Sequence, residues 1–329
     1  MKISVLVPVY GVEKYIARCA ESLFGQTYAD LEFVFVDDCT PDHSIDVLRS
    51  VMARYPARQA QVRIIHNEKN SGIGAVRQKL IDSCTGDCLT FVDSDDYMPL
   101  DAISLLAAGM ERSGADMVDG GWQRVTRDGI SAVNKPYQGG DERHYLGLLL
   151  CQNMVSNRMW GRLYRRRLFT DNGIRLVPGI DFCEDFSVMT RLMFYARRSF
   201  INDPVYFYSD DNAGSYTHTT SPKHVRSFLR SNCVVLDFFT VNDTEGRFTT
   251  PLQIGMLNVL RTIRSHNLDF GETDSLLGYK PEGAVFRLSA ALLRGKCPFW
   301  LAEKFYLTIR KVWTSLHKPT AKRTWHNNR

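Results

Sequence analysis

Short apolar runs alternate with stretches of helical period through the first hundred residues of the chain. Residues 3–9, ISVLVPV, are dense in Val and Ile and predict a buried strand. From Val12 to Phe24 the apolar side chains Ile16, Cys19, Ala20 and Leu23 recur near helical spacing. LEFVFVDD (31–38) predicts a second strand, and Ser44 to Tyr55 a helix with Asp42 or Ser44 as its cap. VRIIHN (62–67) predicts a third strand, residues 73–84 a helix, and CLTFVDSDD (88–96) a fourth strand. Gly120-Gly121-Trp122 closes another strand. Residues 141–170 read as helical and basic around Arg165-Arg166-Arg167, and 184–197 as an amphipathic helix. Beyond about 220 the chain reads as helical with a polar break near 241–250.

Strands alternating with helices of ten to fifteen residues imply βαβ units. The expected class is α/β, a mostly parallel central sheet with helices on both faces, because the strand runs are continuously apolar. In open parallel sheets ligands sit beyond the carboxyl ends of the strands. Those ends are polar here: Pro8-Val9-Tyr10-Gly11, Asp37-Asp38, His66-Asn67 leading to Asn70-Ser71-Gly72, and Asp93-Ser94-Asp95-Asp96.

Each of these segments has a structural reading beside a chemical one. Asp93 and Asp95 form a spaced carboxylate pair at a strand end. Such a pair suits a hard divalent cation that neutralises a departing diphosphate, and it equally suits a solvated turn. Asp38 follows the second strand and either accepts from a ligand N–H or caps the next helix. Arg77 lies on the helix opening after Asn70-Ser71-Gly72-Ile73-Gly74, where a helix N-terminus and a guanidinium together suit an anion. Glu184-Asp185 opens a helix, where acids are favoured by the macrodipole, and a carboxylate there also serves as a general base. Gly72 and Gly74 do not complete a dinucleotide fingerprint after the first strand.

These blocks together resemble the inverting family-two glycosyltransferases of bacterial polysaccharide type, with the GT-A fold. They are ISVLVPVYGVEKYI (3–16), VFVDDCTPDHS (34–44), NEKNSGIGAVRQ (67–78), TFVDSDDYM (90–98) and CEDFSV (183–188). Trp160 to Arg166, PVYFY and GSYTH (204–218) are similar to that family's acceptor side. The resemblance implies a nucleoside pocket at Pro8, Tyr10, Glu13 and Asp38. It places Arg77 near the nucleotide or diphosphate, with Asp93 and Ser94 toward the ribose or sugar. Asp95 would ligate Mn²⁺ or Mg²⁺ with Asp93 and His218 nearby, and Asp185 would be the base. The implied reaction moves a sugar from a nucleotide-sugar donor, with UDP favoured, to a glycan or lipid-linked acceptor hydroxyl with inversion, in cell-surface polysaccharide or glycan synthesis. The chain departs from the family at Cys39-Thr40, where Gly-Ser is usual, at Val76-Arg77-Gln78 for Ala-Arg-Asn, at Gly161-Arg162 within the Trp segment, and at Cys183 in place of Gly.

The implied catalytic domain spans about 1–220, with a nucleotide-sugar part to about 120 and an acceptor part over 121–220. A helical region over 221–329 follows. Two other classes compete with this reading. A sugar nucleotidyltransferase calls for a Gly-rich, Arg-containing loop where Tyr10-Gly11-Val12-Glu13-Lys14 stands. A carbohydrate- or partner-binding module would not need Asp95 and Asp185 together.

Composition changes this picture only at the C-terminus. The 329 residues are 44% hydrophobic and 23% charged, ordinary for a globular protein. No apolar run approaches the roughly 20 residues of a membrane-spanning helix. The apolar N-terminus runs straight into patterned sequence and reads as a strand instead of a signal peptide. The eight cysteines are scattered and, Cys84 and Cys88 included, lack zinc-site spacing, so free thiols and a cytoplasmic setting are expected. Net charge is +5, yet residues 294–329 hold nine Lys or Arg and one acid. Over 299–316, Ala302, Phe305, Tyr306, Ile309, Val312, Trp313 and Leu316 share a helical stripe. A basic aromatic helix of this kind either lies on an anionic membrane surface or packs on the rest of the protein. Nucleic acid is not expected as a partner, since the body carries no recognised motif.

Overall fold

The computed structural model describes residues 1–152, 154–210, 221–267 and 278–316. Contacts group the chain into two compact units. The first is Met1–Tyr137 with Asn157–Val235, and the second is Gln138–Ser156 with Leu236–Arg329. The segment 138–156, placed in the acceptor part by the sequence reading, therefore belongs with the C-terminal helices.

The first unit is built on one eight-stranded sheet. Its parallel half comprises β1 (Ile3–Val9), β2 (Leu31–Asp37), β3 (Val62–His66) and β4 (Cys88–Phe91), joined through α1 (Ile16–Phe24), α2 (Ser44–Ala53) and α3 (Ile73–Ser83). After α4 (Ala102–Ser113) come β5 (Met117–Thr126), β6 (Gly129–Asn134), β7 (Arg162–Arg165) and β8 (Arg198–Ser209). The order is β3-β2-β1-β4-β7-β5-β6, with β8 on β5. β7 and β6 pair antiparallel with β5, while β8 runs parallel to it. The sheet is thus mixed but mostly parallel, as the strand–helix alternation predicts.

Every residue of β1 is buried, which requires cover on both faces. Ile3, Val5, Val7 and Val9 join one core cluster with Ile16 and Leu23 of α1, Leu48 of α2 and Leu106 of α4. α3 packs against β1 and β2. The register Val9↔Asp37 and Asp37↔His66 brings the polar ends of β1, β2 and β3 to one edge of the sheet.

Two segments differ from the sequence pattern. The strand expected to end at Gly120-Gly121-Trp122 runs on to Thr126. The glycines are there because β8 crosses closely: a Cβ on Gly121 would stand 2.7 Å from the Asn202 carbonyl oxygen, and one on Gly120 2.2 Å from Val205 Cγ2. The register against β8 also shifts at this point. The stretch 141–170 is not one helical region. It contains α5 (Glu142–Leu150), the strand β7 and the short α6 (Arg167–Thr170). Arg162, within the stretch that reads as helical and basic, is fully buried, with Nε donating to Asp119 Oδ1 at 3.0 Å. Pairing across the sheet overrides local propensity there.

α7 (Glu184–Tyr195) follows in the first unit, and α8 spans Pro222–Asn242. The second unit holds α5, α9 (Thr249–Ser265), α10 (Ala284–Arg294) and α11 (Phe299–Leu316). α11 packs on α9 and α10. Its apolar stripe is divided: Ala302 and Tyr306 are buried, while Val312 and Leu316 are exposed. Among the described residues no helix is long and apolar enough to cross a membrane.

Candidate active site

Arg77 is the hub of the carboxyl edge. It sits one turn into α3, is buried, and donates to three carboxylates. Nη2 reaches Asp93 Oδ1 at 2.8 Å, beyond the end of β4. Nη1 reaches Glu184 Oε1 at 2.5 Å and Asp185 Oδ1 at 2.6 Å, both at the start of α7. The Met159 N–H donates to Asp185 Oδ2 at 3.3 Å and holds the other oxygen of that carboxylate. Residues far apart in sequence thus meet around one guanidinium, through side chains that are all largely withdrawn from water.

Burial and mutual repulsion set the protonation of this cluster. Burial pushes the Glu184 carboxyl up to about 7, Asp185 adds to the effect, and Arg77 offsets part of it. Burial likewise raises Asp185, against the pull of Arg77. Arg77 pays for its own burial, but Asp185, Asp93 and Glu184 outweigh that and strengthen its hold on its proton.

The loop that delivers Arg77 is organised by Asp38. Its Oδ1 accepts from Asn67 Nδ2 (2.7 Å), Ser71 N (2.9 Å) and Ser71 Oγ (2.7 Å), and its Oδ2 from Gly72 N (3.0 Å). The chain itself therefore satisfies much of this carboxylate. Gly72, with φ of +85°, opens α3, and a Cβ there would stand 2.3 Å from Asp181 Oδ1. Only glycine gives both the backbone angle and the space. Asp181 also accepts from Gly74 N at 3.3 Å, so the segment before α7 is tied to the same helix start.

The acidic turn after β4 divides its duties. Asp96 is buried, with Oδ2 accepting from Tyr206 Oη at 2.8 Å and Oδ1 from Ser209 N at 2.7 Å. Burial, with Asp95 and Asp93 nearby, holds its carboxyl well above the usual range. Tyr206 Oη also accepts from the Asp93 N–H at 3.0 Å. Ser94 is buried, and the Asp95 carbonyl accepts from Arg18 Nη2 at 3.2 Å. Trp160, adjacent to Met159, stacks on Tyr206 with centroids 4.4 Å apart and on Tyr208 at 5.6 Å.

The remaining expected nucleoside residues lie at the ends of β1 and the following turn. Pro8 is buried within β1, and Tyr10 is half exposed. Glu13 Oε2 accepts from His43 N at 3.2 Å, while its own N–H donates to Asp42 Oδ2 at 2.9 Å. Asp42 also accepts from Ser44 N at 3.1 Å, which gives it a capping contact ahead of α2. His218 lies outside the described residues. Arg77, Asp93 and Asp185 are thus brought into one cluster, while Glu13 and Asp38 are held by separate contacts and Pro8 and Tyr10 stand at the end of β1. Glu184, Asp96 and Tyr206 were not singled out as site residues. The third carboxylate of the Asp93–Asp96 turn and the acid pair at 184–185 were the available signals.

Two departures from the glycine pattern sit in left-handed backbone. Cys39 has φ of +57° and Cys183 of +62°. The chain keeps the turn geometry that favours glycine while carrying a side chain.

Comparison with known proteins bears on the family and the fold. The family model for glycosyl transferase family 2 matches residues 4–173. EpsH of Bacillus subtilis is 33% identical over 217 residues, 63% of this chain and 60% of that protein. TarS of Staphylococcus aureus, a poly(ribitol-phosphate) beta-N-acetylglucosaminyltransferase, is 27% identical over 236 residues, 70% of this chain and 39% of that protein. The match thus spans under two thirds of the length of these relatives. The solved structure of S. aureus TarS 1–349 with UDP-GlcNAc superposes with a TM-score of 0.62 at 18% identity, covering 96% of this chain and 92% of that one. The mixed, mostly parallel sheet with a helical C-terminal region is therefore the GT-A arrangement. With more than half its length matched by the family model, the chain belongs to the family-two glycosyltransferases.

Proposed function

We propose that the first unit transfers a sugar from a nucleotide-diphosphate donor, a UDP-sugar by preference, to an acceptor hydroxyl with inversion, for cell-surface glycan synthesis. The observation that carries this is the Arg77 cluster. It joins Asp93, at the strand end where a donor sugar belongs, to Asp185, a partly exposed carboxylate of raised proton affinity. UDP-GlcNAc in the TarS structure, and GDP-Man with Mn²⁺ in a mannosyltransferase from Pyrobaculum calidifontis at a TM-score of 0.50, support a nucleotide-sugar donor.

In this reading Asp185 accepts the proton of the acceptor hydroxyl as that oxygen bonds to the anomeric carbon. The bond from that carbon to the diphosphate oxygen breaks, and its electron pair leaves with the nucleoside diphosphate. Met159 N–H and Arg77 hold Asp185 in place. Arg77 also fixes Asp93, and Asp38 shapes the loop that carries Arg77. Tyr208, the partly exposed ring of the stack on the buried Trp160 and Tyr206, supplies an apolar surface for the acceptor ring.

Among the described residues no three His, Cys, Asp or Glu side chains converge to hold a metal ion. Asp93 is committed to Arg77 and Asp96 to Tyr206 and Ser209; Asp95, between them, is the carboxylate that the family resemblance assigns to the ion. One carboxylate fits Mg²⁺ or Mn²⁺, because such ions are held by one or two carboxylates together with substrate phosphates. When bound there, the ion would neutralise charge on the departing diphosphate.

UDP- and GDP-sugars, screened by calorimetry and by donor turnover with and without Mn²⁺, test the donor. Asp185→Asn should keep donor affinity and lower turnover to an acceptor by at least about a hundredfold. Near-normal transfer by that variant removes Asp185 as the base, and turnover indifferent to chelator removes the metal.

Of the two readings of α11, lipid contact and packing, lipid contact is proposed for its outer face, where Trp300 and Leu307 are exposed beside Lys304 and Lys311. Flotation with phosphatidylglycerol vesicles should be lost on Trp300→Glu with Leu307→Glu. Flotation by neither protein rejects the contact.

A further inference from the structure

The second unit contains a cavity of about 380 Å³ that the transfer reading does not use. Its walls are the start of α5 (Asp141, Arg143, His144), the lead into α9 (Arg247, Phe248) and Trp313 of α11. The volume lies within the range of small-molecule sites, roughly 300–1,000 Å³.

The walls are cationic in effect. Arg143 is exposed and has no partner among the described residues. Arg247 comes no nearer than 3.4 Å to Glu245 and 4.0 Å to Asp243. Asp243 is already engaged, accepting from the N–H groups of Arg247 (2.9 Å) and Phe248 (2.7 Å). Asp141, the carboxylate on the cavity wall, is committed to capping α5, accepting from His144 N at 2.8 Å. Two guanidinium groups from separate segments therefore border the cavity; backbone N–H groups engage Asp141 and Asp243, and the exposed Glu245 makes the longer ion pair with Arg247.

The third wall is aromatic. A Cβ on Gly147 would stand 3.0 Å from Trp313 Cη2, so the absence of a side chain at 147 is what lets the indole close onto α5. A flat apolar ring beside two forked cations is a combination suited to one ligand chemistry. An indole takes the apolar face of a sugar ring, and guanidinium groups pair with a carboxylate or phosphate in bidentate fashion.

We propose that this cavity binds an anionic sugar unit, its ring against Trp313 and its carboxylate or phosphate held by Arg143 and Arg247. As a handle on the acceptor glycan, held in the second unit apart from the transfer chemistry of the first, it rests on the proposed transfer function. The binding itself does not.

Calorimetric titration of the full chain with glucuronic acid, glucose 6-phosphate and glucose tests it. At least one anionic sugar should bind saturably and glucose should not, and the tighter of the two identifies the preferred anion. Arg143→Gln and Arg247→Gln should each weaken that binding by about tenfold, the scale of a lost charge-assisted hydrogen bond. Both should leave donor affinity and the far-ultraviolet circular dichroism spectrum unchanged. Glucose binding as tightly as its phosphate, anionic sugars failing to saturate the wild-type chain, or binding indifferent to both substitutions each overturns the proposal. Loss of donor turnover with anionic-sugar binding intact would instead reject the transfer reading alone.

Discussion

Replacing Arg77 by Met is the most direct challenge to the cluster. The guanidinium, with 5% of its side chain exposed, faces Asp93, Glu184 and Asp185 at 25%, 12% and 20%. At about 4 Å and an effective dielectric constant of about 20, each pair is worth about 4 kcal/mol before desolvation and repulsion among the acids are subtracted. Removing one partner of a buried ion pair leaves an uncompensated charge, and that typically costs about 3–5 kcal/mol. At roughly 2–4 °C per kcal/mol for a body of this size, the melting temperature should fall by about 6–20 °C at pH 8. The sign of the pH dependence follows from proton counting. Without Arg77, which offsets the effect of burial on Glu184 and Asp185, these two carboxyls ionise less readily in the folded chain than in the unfolded one. The folded variant then binds more protons, and its stability falls as pH rises. At pH 5.5 the acids are partly neutral, so the deficit should shrink to less than half. Thermal melts of variant and wild type at both pH values measure this. An equal deficit at pH 5.5 and pH 8, or one under about 1 kcal/mol at pH 8, would refute the assignment of Arg77 as the counterion of three buried acids.

Three further outcomes follow from the same geometry. Because burial raises both Glu184 and the base Asp185 above the usual carboxylate range, transfer should fall on acidification as these acids take up protons, and rise again with pH. Glu184→Gln removes a neighbouring negative charge and should move that limb of the rate profile to lower pH; an unmoved limb would separate Glu184 from the base. Tyr206→Phe strips Asp96 of a donor and leaves the Asp93 N–H without its acceptor. Urea unfolding should register a loss of about 1–3 kcal/mol, and a change near zero would mean those groups find other partners. At Cys39, with φ of +57°, Val should lower stability by about 1–2 kcal/mol, while Gly should hold or raise it. Equal melting temperatures for the two variants would contradict the backbone argument.

Much of the first unit is written in local pattern. Continuous apolar runs over 3–9, 31–37 and 88–91 can only be strands covered on both faces, and the polar ends they share mark one edge of a parallel sheet. Arg77, Asp93 and Asp185 were legible as chemically apt residues because each stands at a strand end or helix start. Local pattern fails where contacts from elsewhere decide the backbone. Arg162 lies in a strand because Asp119 needs a buried partner, and Gly120 and Gly121 belong to a strand because β8 crosses at a distance that tolerates no side chain.

The sequence alone therefore determined the class of fold and the polar edge of its sheet, and it named Asp93 and Asp185 as candidates but not Glu184 or Asp96, since periodicity and strand-end composition are local properties. Only the tertiary structure decided that one guanidinium gathers Asp93, Glu184 and Asp185, that Asp96 is spent on Tyr206 and Ser209, and that Asp38 is largely occupied by its own chain. Hydrogen bonds spanning 16 to 113 residues leave no periodic trace. They form because a buried charge must find its partner wherever the fold has placed it.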